Sequence, residues 1–436
     1  MFSQKIIKLL FHIINLPKWF LHTLRLGHLA QSTLQVLIWN IGRLATQLAW
    51  MVLLARTLGP EAYGGFSGVA GLAIALSGIA GAGLGLRMYQ DVARDSKLFG
   101  QRWGQAARAL KLSAPPLAFG FVACGMLAFP QMPLSLLVAV ALAELAFAPV
   151  VTLIAFAFAS HGQMSRAAAA PTVLSLGRLA AVVIYAIIPW RFDLATYSWI
   201  HLGGTISAVA LIWKSFHLKF EIPQKNPALR WRDIREGLGF ASIWASGLAL
   251  SSLDKTVSFR LGGEIIAGHY TAAQRFASVL TLPVDALVTA VMPRLFRIEM
   301  TETNYPKLLI LLFVATIGYG SIAGLVFWWL ARFVPLIIGD QFKSTVPAMH
   351  VLAFYVPVYC VRSLGSNILL GLGMKRWRFY CEIIAMIIMA ILMSLLIPAY
   401  GAIGAAQALL IAEIILVFLI LSQIVLRHYP IILNLQ

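Results

Sequence analysis

The chain has 436 residues, of which 60% are hydrophobic and only 11% charged, with a mean hydropathy of +0.84. Soluble domains carry about 25% charged residues, so this composition excludes an ordinary soluble enzyme. Lys and Arg number 34 against 16 Asp and Glu, a net charge of +18. On a chain with repeated apolar stretches of about 20 residues, that excess reads as the basic loops of a polytopic helical membrane protein, not as a nucleic-acid surface.

The first element in chain order is residues 1–30. Lys5, Lys8, His12, Asn15, Lys18, His22 and Arg25 recur every three or four positions, with Ile6, Leu9, Leu10, Ile13 and Phe20 on the opposite side. That spacing predicts an amphipathic helix on the membrane surface, in contact with anionic lipid. No small-residue cleavage site follows it, so it does not read as a signal peptide.

Twelve spans are predicted after it, at roughly 33–54, 62–86, 108–129, 134–160, 168–189, 195–213, 237–259, 266–293, 307–331, 346–370, 378–397 and 402–425. With the N-terminus in the cytoplasm, inner segments hold 24 basic residues and outer segments 5. That bias predicts both termini inside, on the cytoplasmic side. The longest polar connection, Lys214–Glu236, falls between spans six and seven. It divides the chain into an N-lobe (31–213), a cytoplasmic linker (214–236) and a C-lobe (237–436).

The halves show a repeat. Arg56, Gly64 and Phe66 coincide with Arg260, Gly268 and Tyr270 at an offset of 204, and Ile188-Pro189 with Ile397-Pro398 at 209. Repeats six helices apart keep one membrane orientation. The expected architecture is therefore an all-α membrane protein of two six-helix lobes, related by a pseudo-two-fold along the membrane normal around a central cavity.

Ionisable residues inside spans carry the functional signal. Each charge at the bilayer centre costs roughly 2.5–3.5 kcal/mol, so Arg43, Arg178, Lys255, Arg275 and Arg362 must face protein or water. Glu144 and Arg178 lie at similar depth in adjacent spans, which predicts an ion pair. Asp254 is expected to pair with Arg275, leaving Lys255 free, and Arg43 has no acidic partner at its depth. Arg362 and Glu382 are expected to snorkel or pair with each other. Glu413 reads equally as a protonated core group or as a coupling carboxylate.

Gly64, Gly68, Gly81 and Gly85 have the spacing of close helix packing. Pro149, Pro171, Pro283, Pro293 and Pro357 permit bends, and Cys124, Cys360 and Cys381 read as small core residues. No phosphate loop, HExxH, G-x-S-x-G or paired Cys/His cluster occurs, so no catalytic residue, metal or cofactor is expected.

The run Leu54-Ala55-Arg56-Thr57-Leu58-Gly59-Pro60-Glu61-Ala62-Tyr63-Gly64 resembles the first-span ending of Wzx-type polysaccharide flippases of the multidrug/oligosaccharidyl-lipid/polysaccharide exporter superfamily. Tyr270–Phe276, Leu282-Pro283 and Met292-Pro293-Arg294-Leu295 resemble that family's eighth span, and Ile397–Ala406 its last hairpin. The resemblance implies flipping of an undecaprenyl-pyrophosphate-linked oligosaccharide, with a polysaccharide polymerase and glycosyltransferases as partners. It also implies a cationic cavity, to which Arg43, Arg178, Lys255 and Arg275 could contribute, with Glu144, Asp254 and Glu413 as ion-coupling candidates. Two other functions are weighed. A cation-coupled drug exporter would favour acidic residues in its cavity, and a glycan polymerase or ligase would need a sizeable outer loop.

Overall fold

A computed structural model describes residues 28–188, 193–220, 228–295 and 304–433. The basic stripe of residues 1–27 lies outside them. The described residues form helices and short turns, with no strand among them.

The helices are α1 (His28–Ser77), α2 (Leu84–Arg94), α3 (Phe99–Ala128), α4 (Leu134–Ala141), α5 (Ala148–Ser160), α6 (Met164–Ile187) and α7 (Leu194–His217), followed by α8 (Trp231–Leu250), α9 (Leu253–Leu295), α10 (Asn304–Leu330), α11 (Val334–Ile338), α12 (Val346–Gly371) and α13 (Lys375–Leu433). Seven stretches of the described residues are long and apolar enough to cross a membrane, and two of these run for 44 and 52 residues.

Glycine divides the longest helices. α1 breaks at Gly59 (φ 76°, ψ 174°) and α9 at Gly263 (φ 76°, ψ −175°). Only glycine adopts that backbone without strain, and the two breaks are 204 residues apart. The offset seen in sequence is therefore an offset in conformation as well. Pro60 opens the next arm of α1, where its missing N–H costs nothing. α13 breaks in the same manner at Gly401 (φ 56°).

By packing, the chain forms two compact units. Of the described residues, unit one comprises those up to Leu53 with those of Ile79–Ser242, and unit two Leu54–Gly78 with those from Ile243 onward. In unit one, α6 and α7 touch backbone to backbone. A Cβ on Gly177 would lie 2.5 Å from the Gly204 carbonyl oxygen, and one on Gly204 would lie 2.4 Å from that of Gly177. An aromatic core of Phe99, Trp103, Phe158 and Phe216 closes one end of the unit, with Trp103 stacked on Phe216 at 4.3 Å.

In unit two the arms after the two glycine breaks cross. A Cβ on Gly64 would sit 1.9 Å from the Glu264 carbonyl oxygen, and one on Gly268 would sit 1.9 Å from that of Pro60. Positions 60 and 64 map onto 264 and 268 by the same 204. The repeat thus packs against itself through equivalent residues, as an isologous contact does. Small residues are required there for close packing.

Two details depart from expectation. Cys360 and Cys381 are buried as expected, but Cys124 is exposed on α3, because its helix face is not covered by a neighbour. Between α4 and α5 the chain makes a π-helical turn, Leu142–Phe147, which contains Glu144. The wider turn rotates the register locally, a feature common at functional positions.

Candidate functional site

In unit one, the π turn buries Glu144 with 5% exposure. Its Oε1 lies 2.7 Å from the Arg178 guanidinium on α6 and 3.5 Å from His201 Nε2 on α7. The ring of His201 lies 3.4 Å from the Tyr197 hydroxyl, which accepts a hydrogen bond from Trp50 Nε1 at 3.0 Å. The Glu144–Arg178 pair expected from depth is present. His201, Tyr197 and Trp50 extend it, and no charge pattern in sequence revealed them. Arg43 is half-buried on α1 and its side chain forms no ion pair or hydrogen bond among the described residues. Nearby, the Thr172 hydroxyl donates to the Trp39 carbonyl and ties α6 to α1.

In unit two, the expected pairing of Asp254 with Arg275 is replaced by another. Lys255 Nζ lies 2.9 and 3.1 Å from the two Asp254 carboxylate oxygens and donates to the Ser251 carbonyl. Tyr270 donates to Asp254 Oδ2 at 2.7 Å. The flexible four-carbon stem of lysine lets the ammonium fold back along its own helix, a reach that rigid side-chain spacing does not anticipate. Lys255 is therefore committed and 3% exposed. Arg275 is left with no ion pair among the described residues, and its Nε is buried without a hydrogen-bond partner.

The expected Arg362–Glu382 pairing is also corrected. Arg362 Nε lies 2.8 Å from Glu413 Oε2, with the guanidinium 4.3 Å from the Tyr359 ring centroid. Glu382 instead accepts from Arg378, one turn earlier on the same helix, and from the Ser246 hydroxyl at 2.6 Å. Arg362 faces α13 and meets Glu413, so Glu413 has a basic partner distant in sequence. Asp285 was not singled out from sequence. It accepts from the Ser363 hydroxyl at 2.6 Å and the Tyr359 hydroxyl at 3.2 Å. The available signal was Tyr359, Ser363 and Asn367 at four-residue steps on an apolar helix, opposite the acid that follows Pro283.

Of the five cations expected from sequence to lie inside spans, Arg178, Lys255 and Arg362 are thus neutralised by carboxylates, whereas Arg43 and Arg275 have no ion partner among the described residues. An uncompensated intramembrane cation is costly unless it serves an anion. No group of three metal-ligating side chains occurs among the described residues. Outside the spans, Asp193 caps α7 by accepting from the Thr196 hydroxyl and backbone N–H, which holds its carboxyl below the usual carboxylate range.

The fold is one of long apolar helices with buried ion pairs between them. It resembles the inward-facing structure of a multidrug resistance MATE family transporter of the MOP superfamily (TM-score 0.70, 15% identity, 86% of this chain and 92% of that one). It also resembles the lipid II flippase MurJ in its inward closed conformation (TM-score 0.69, 14% identity, 89% and 87% covered). A third similar structure is a MOP superfamily transporter from Pyrococcus furiosus (TM-score 0.60, 16% identity, 92% and 96% covered). The profile of the polysaccharide biosynthesis protein family matches residues 29–299, more than half of the chain, and the chain belongs to that family. No curated protein matches the sequence.

Proposed function

We propose that this protein flips an undecaprenyl-diphosphate-linked oligosaccharide from the inner to the outer leaflet of a bacterial inner membrane, for polysaccharide assembly. Family membership and fold support the class of activity. The observation that carries the substrate is that two guanidiniums, Arg43 and Arg275, each lack an ion partner among the described residues. Guanidinium is the side chain best matched to phosphate oxygens. On this reading both termini are cytoplasmic, the chain crosses twelve times, and the repeat halves are 31–213 and 237–436. It acts as a transporter, not an enzyme, with glycosyltransferases supplying its substrate and a polymerase consuming it.

The alternative, a cation-coupled drug exporter, draws on the MATE likeness. Against it, Glu144, Asp254 and Glu413 are each already paired with an internal cation. A drug cation or coupling ion would have to exchange with a guanidinium or ammonium there. The test is purified protein in liposomes with a lipid-linked oligosaccharide. Arg43→Ala and Arg275→Ala should each slow flipping at least tenfold while the unfolding midpoint holds. Normal flipping by both variants would sink the assignment of these cations.

A further inference from the structure

The boundary between α8 and α9 falls inside the expected seventh span. α8 ends at Leu250 and α9 begins at Leu253, with a turn at Ser251 and Ser252 between them. Serine favours such an interruption because its hydroxyl competes for backbone groups, and Ser251 Oγ donates to the Leu248 carbonyl at 3.1 Å. In an unbroken helix the Lys255 N–H would bond the Ser251 carbonyl, four residues back. Here it donates to the Ser252 carbonyl at 3.3 Å instead. The Ser251 carbonyl accepts from Lys255 Nζ at 2.8 Å. The ammonium has taken the place of a backbone donor.

The same ammonium lies 2.9 and 3.1 Å from the two Asp254 carboxylate oxygens. Its three N–H groups thus meet three oxygens, the full complement for lysine, and the carboxylate is balanced one to one. The Tyr270 hydroxyl donates to Asp254 Oδ2 at 2.7 Å. Asp254, Lys255 and Tyr270 are all buried. One turn beyond Asp254, Ser258 is buried too, and its hydroxyl has no hydrogen-bond partner among the described residues. The arm of α1 after Gly59 holds the turn in place. A Cβ on Gly71 would lie 2.6 Å from the Ser252 carbonyl oxygen, and the Thr256 hydroxyl donates to the Gly68 carbonyl at 2.8 Å. Neighbours other than the lysine therefore position the oxygens.

A helix break that frees a carbonyl beside a buried carboxylate is an arrangement with which transporters bind a cation from solution. In this chain the residue next to the carboxylate supplies the cation. We propose that Lys255 is a tethered substitute for a free monovalent cation. The oxygens of Ser251 and Asp254 form an alkali-cation site that the protein's own ammonium fills, so this site takes up no ion from solution. An ordinary ion pair would need only the carboxylate; the recruited Ser251 carbonyl is what gives the cluster the donor set of a cation site. The inference stands on unit two alone and does not depend on the flippase reading.

The experiment measures unfolding midpoints of the full chain in detergent, in sodium, potassium or choline chloride at constant ionic strength. Removing the ammonium should open the site. Lys255→Ala should gain at least about 3 °C, saturably, when sodium or potassium replaces choline, whereas the parent should be indifferent to the exchange. Lys255→Met, which fills the same space without charge, should not respond, and neither should Asp254→Asn/Lys255→Ala, which lacks the anion. A merely structural ion pair predicts Lys255→Ala destabilised equally in all three salts, for example because Arg275 turns to Asp254; that result overturns the proposal. A saturable alkali-cation response in the parent overturns it as well, since the ammonium would then leave the site open. So does failure to recover folded Lys255→Ala in sodium or potassium, because either ion should replace the ammonium. Flipping is not measured, so each of these failures would leave the flippase reading standing.

Discussion

Glu413→Gln isolates the energetic role of the ion pair that joins α12 to α13. The parent pair is separated by 2.8 Å, with Glu413 4% and Arg362 13% exposed at the side chain. Removing one partner of a buried pair leaves a charge without compensation, which costs about 3–5 kcal/mol, whereas replacing both by apolar residues of similar size is near neutral. Glu413→Gln should therefore destabilise by about that amount, and Glu413→Leu/Arg362→Met by less than about 1 kcal/mol. The structure supplies the probe. Cys360 and Cys381 are buried and Cys124 is exposed. In a Cys124→Ser background, a thiol-reactive fluorophore then reports only unfolding around α12 and α13. Labelling against temperature in detergent should begin far earlier for Glu413→Gln than for the parent. Equal midpoints for the single variant and the parent, or a double variant as unstable as the single, would refute the argument.

Three further outcomes are expected. Gly64→Ala places a Cβ 1.9 Å from a backbone oxygen and should cost about 1–3 kcal/mol by overpacking; Gly239→Ala, with open space around it, should be neutral or stabilising in the same labelling assay. Asp193 and Glu236 have depressed carboxyl pKa values in the folded protein, so their stabilisation is present above the ordinary carboxylate range and lost as pH falls through the lower folded values. Melting midpoints should accordingly be flat from pH 8 to pH 5 and fall below about pH 4, less steeply in Asp193→Asn. Without a phosphate loop, flipping should respond to an imposed inside-negative potential: two charges crossing the full field gain roughly 4.6 kcal/mol per 100 mV, and flipping indifferent to the sign of a potassium-diffusion potential would leave consumption of product as the drive.

Much of the fold is legible in the sequence because its causes are local or periodic. Apolar runs dictate helices in a medium without water to satisfy a free backbone. The offset of 204 read at Arg56 and Arg260 recurs in the structure at Gly59 and Gly263, whose φ of 76° is open only to glycine. The Glu144–Arg178 pair was readable for a related reason: two adjacent antiparallel helices and a fixed rise per residue place both groups at one depth. What depth does not give is azimuth, the side of the helix that faces a given neighbour. The choice of Lys255 over Arg275 for Asp254, of Glu413 over Glu382 for Arg362, and of Ser363 and Tyr359 for Asp285 was made by how helices far apart in sequence rotate and pack. The same packing decided which cations stay without a carboxylate. The sequence by itself determined how many charges had to be accommodated in the membrane, because each is too costly to leave in lipid. Only the tertiary structure decided which were neutralised internally and which, Arg43 and Arg275, have no carboxylate partner among the described residues.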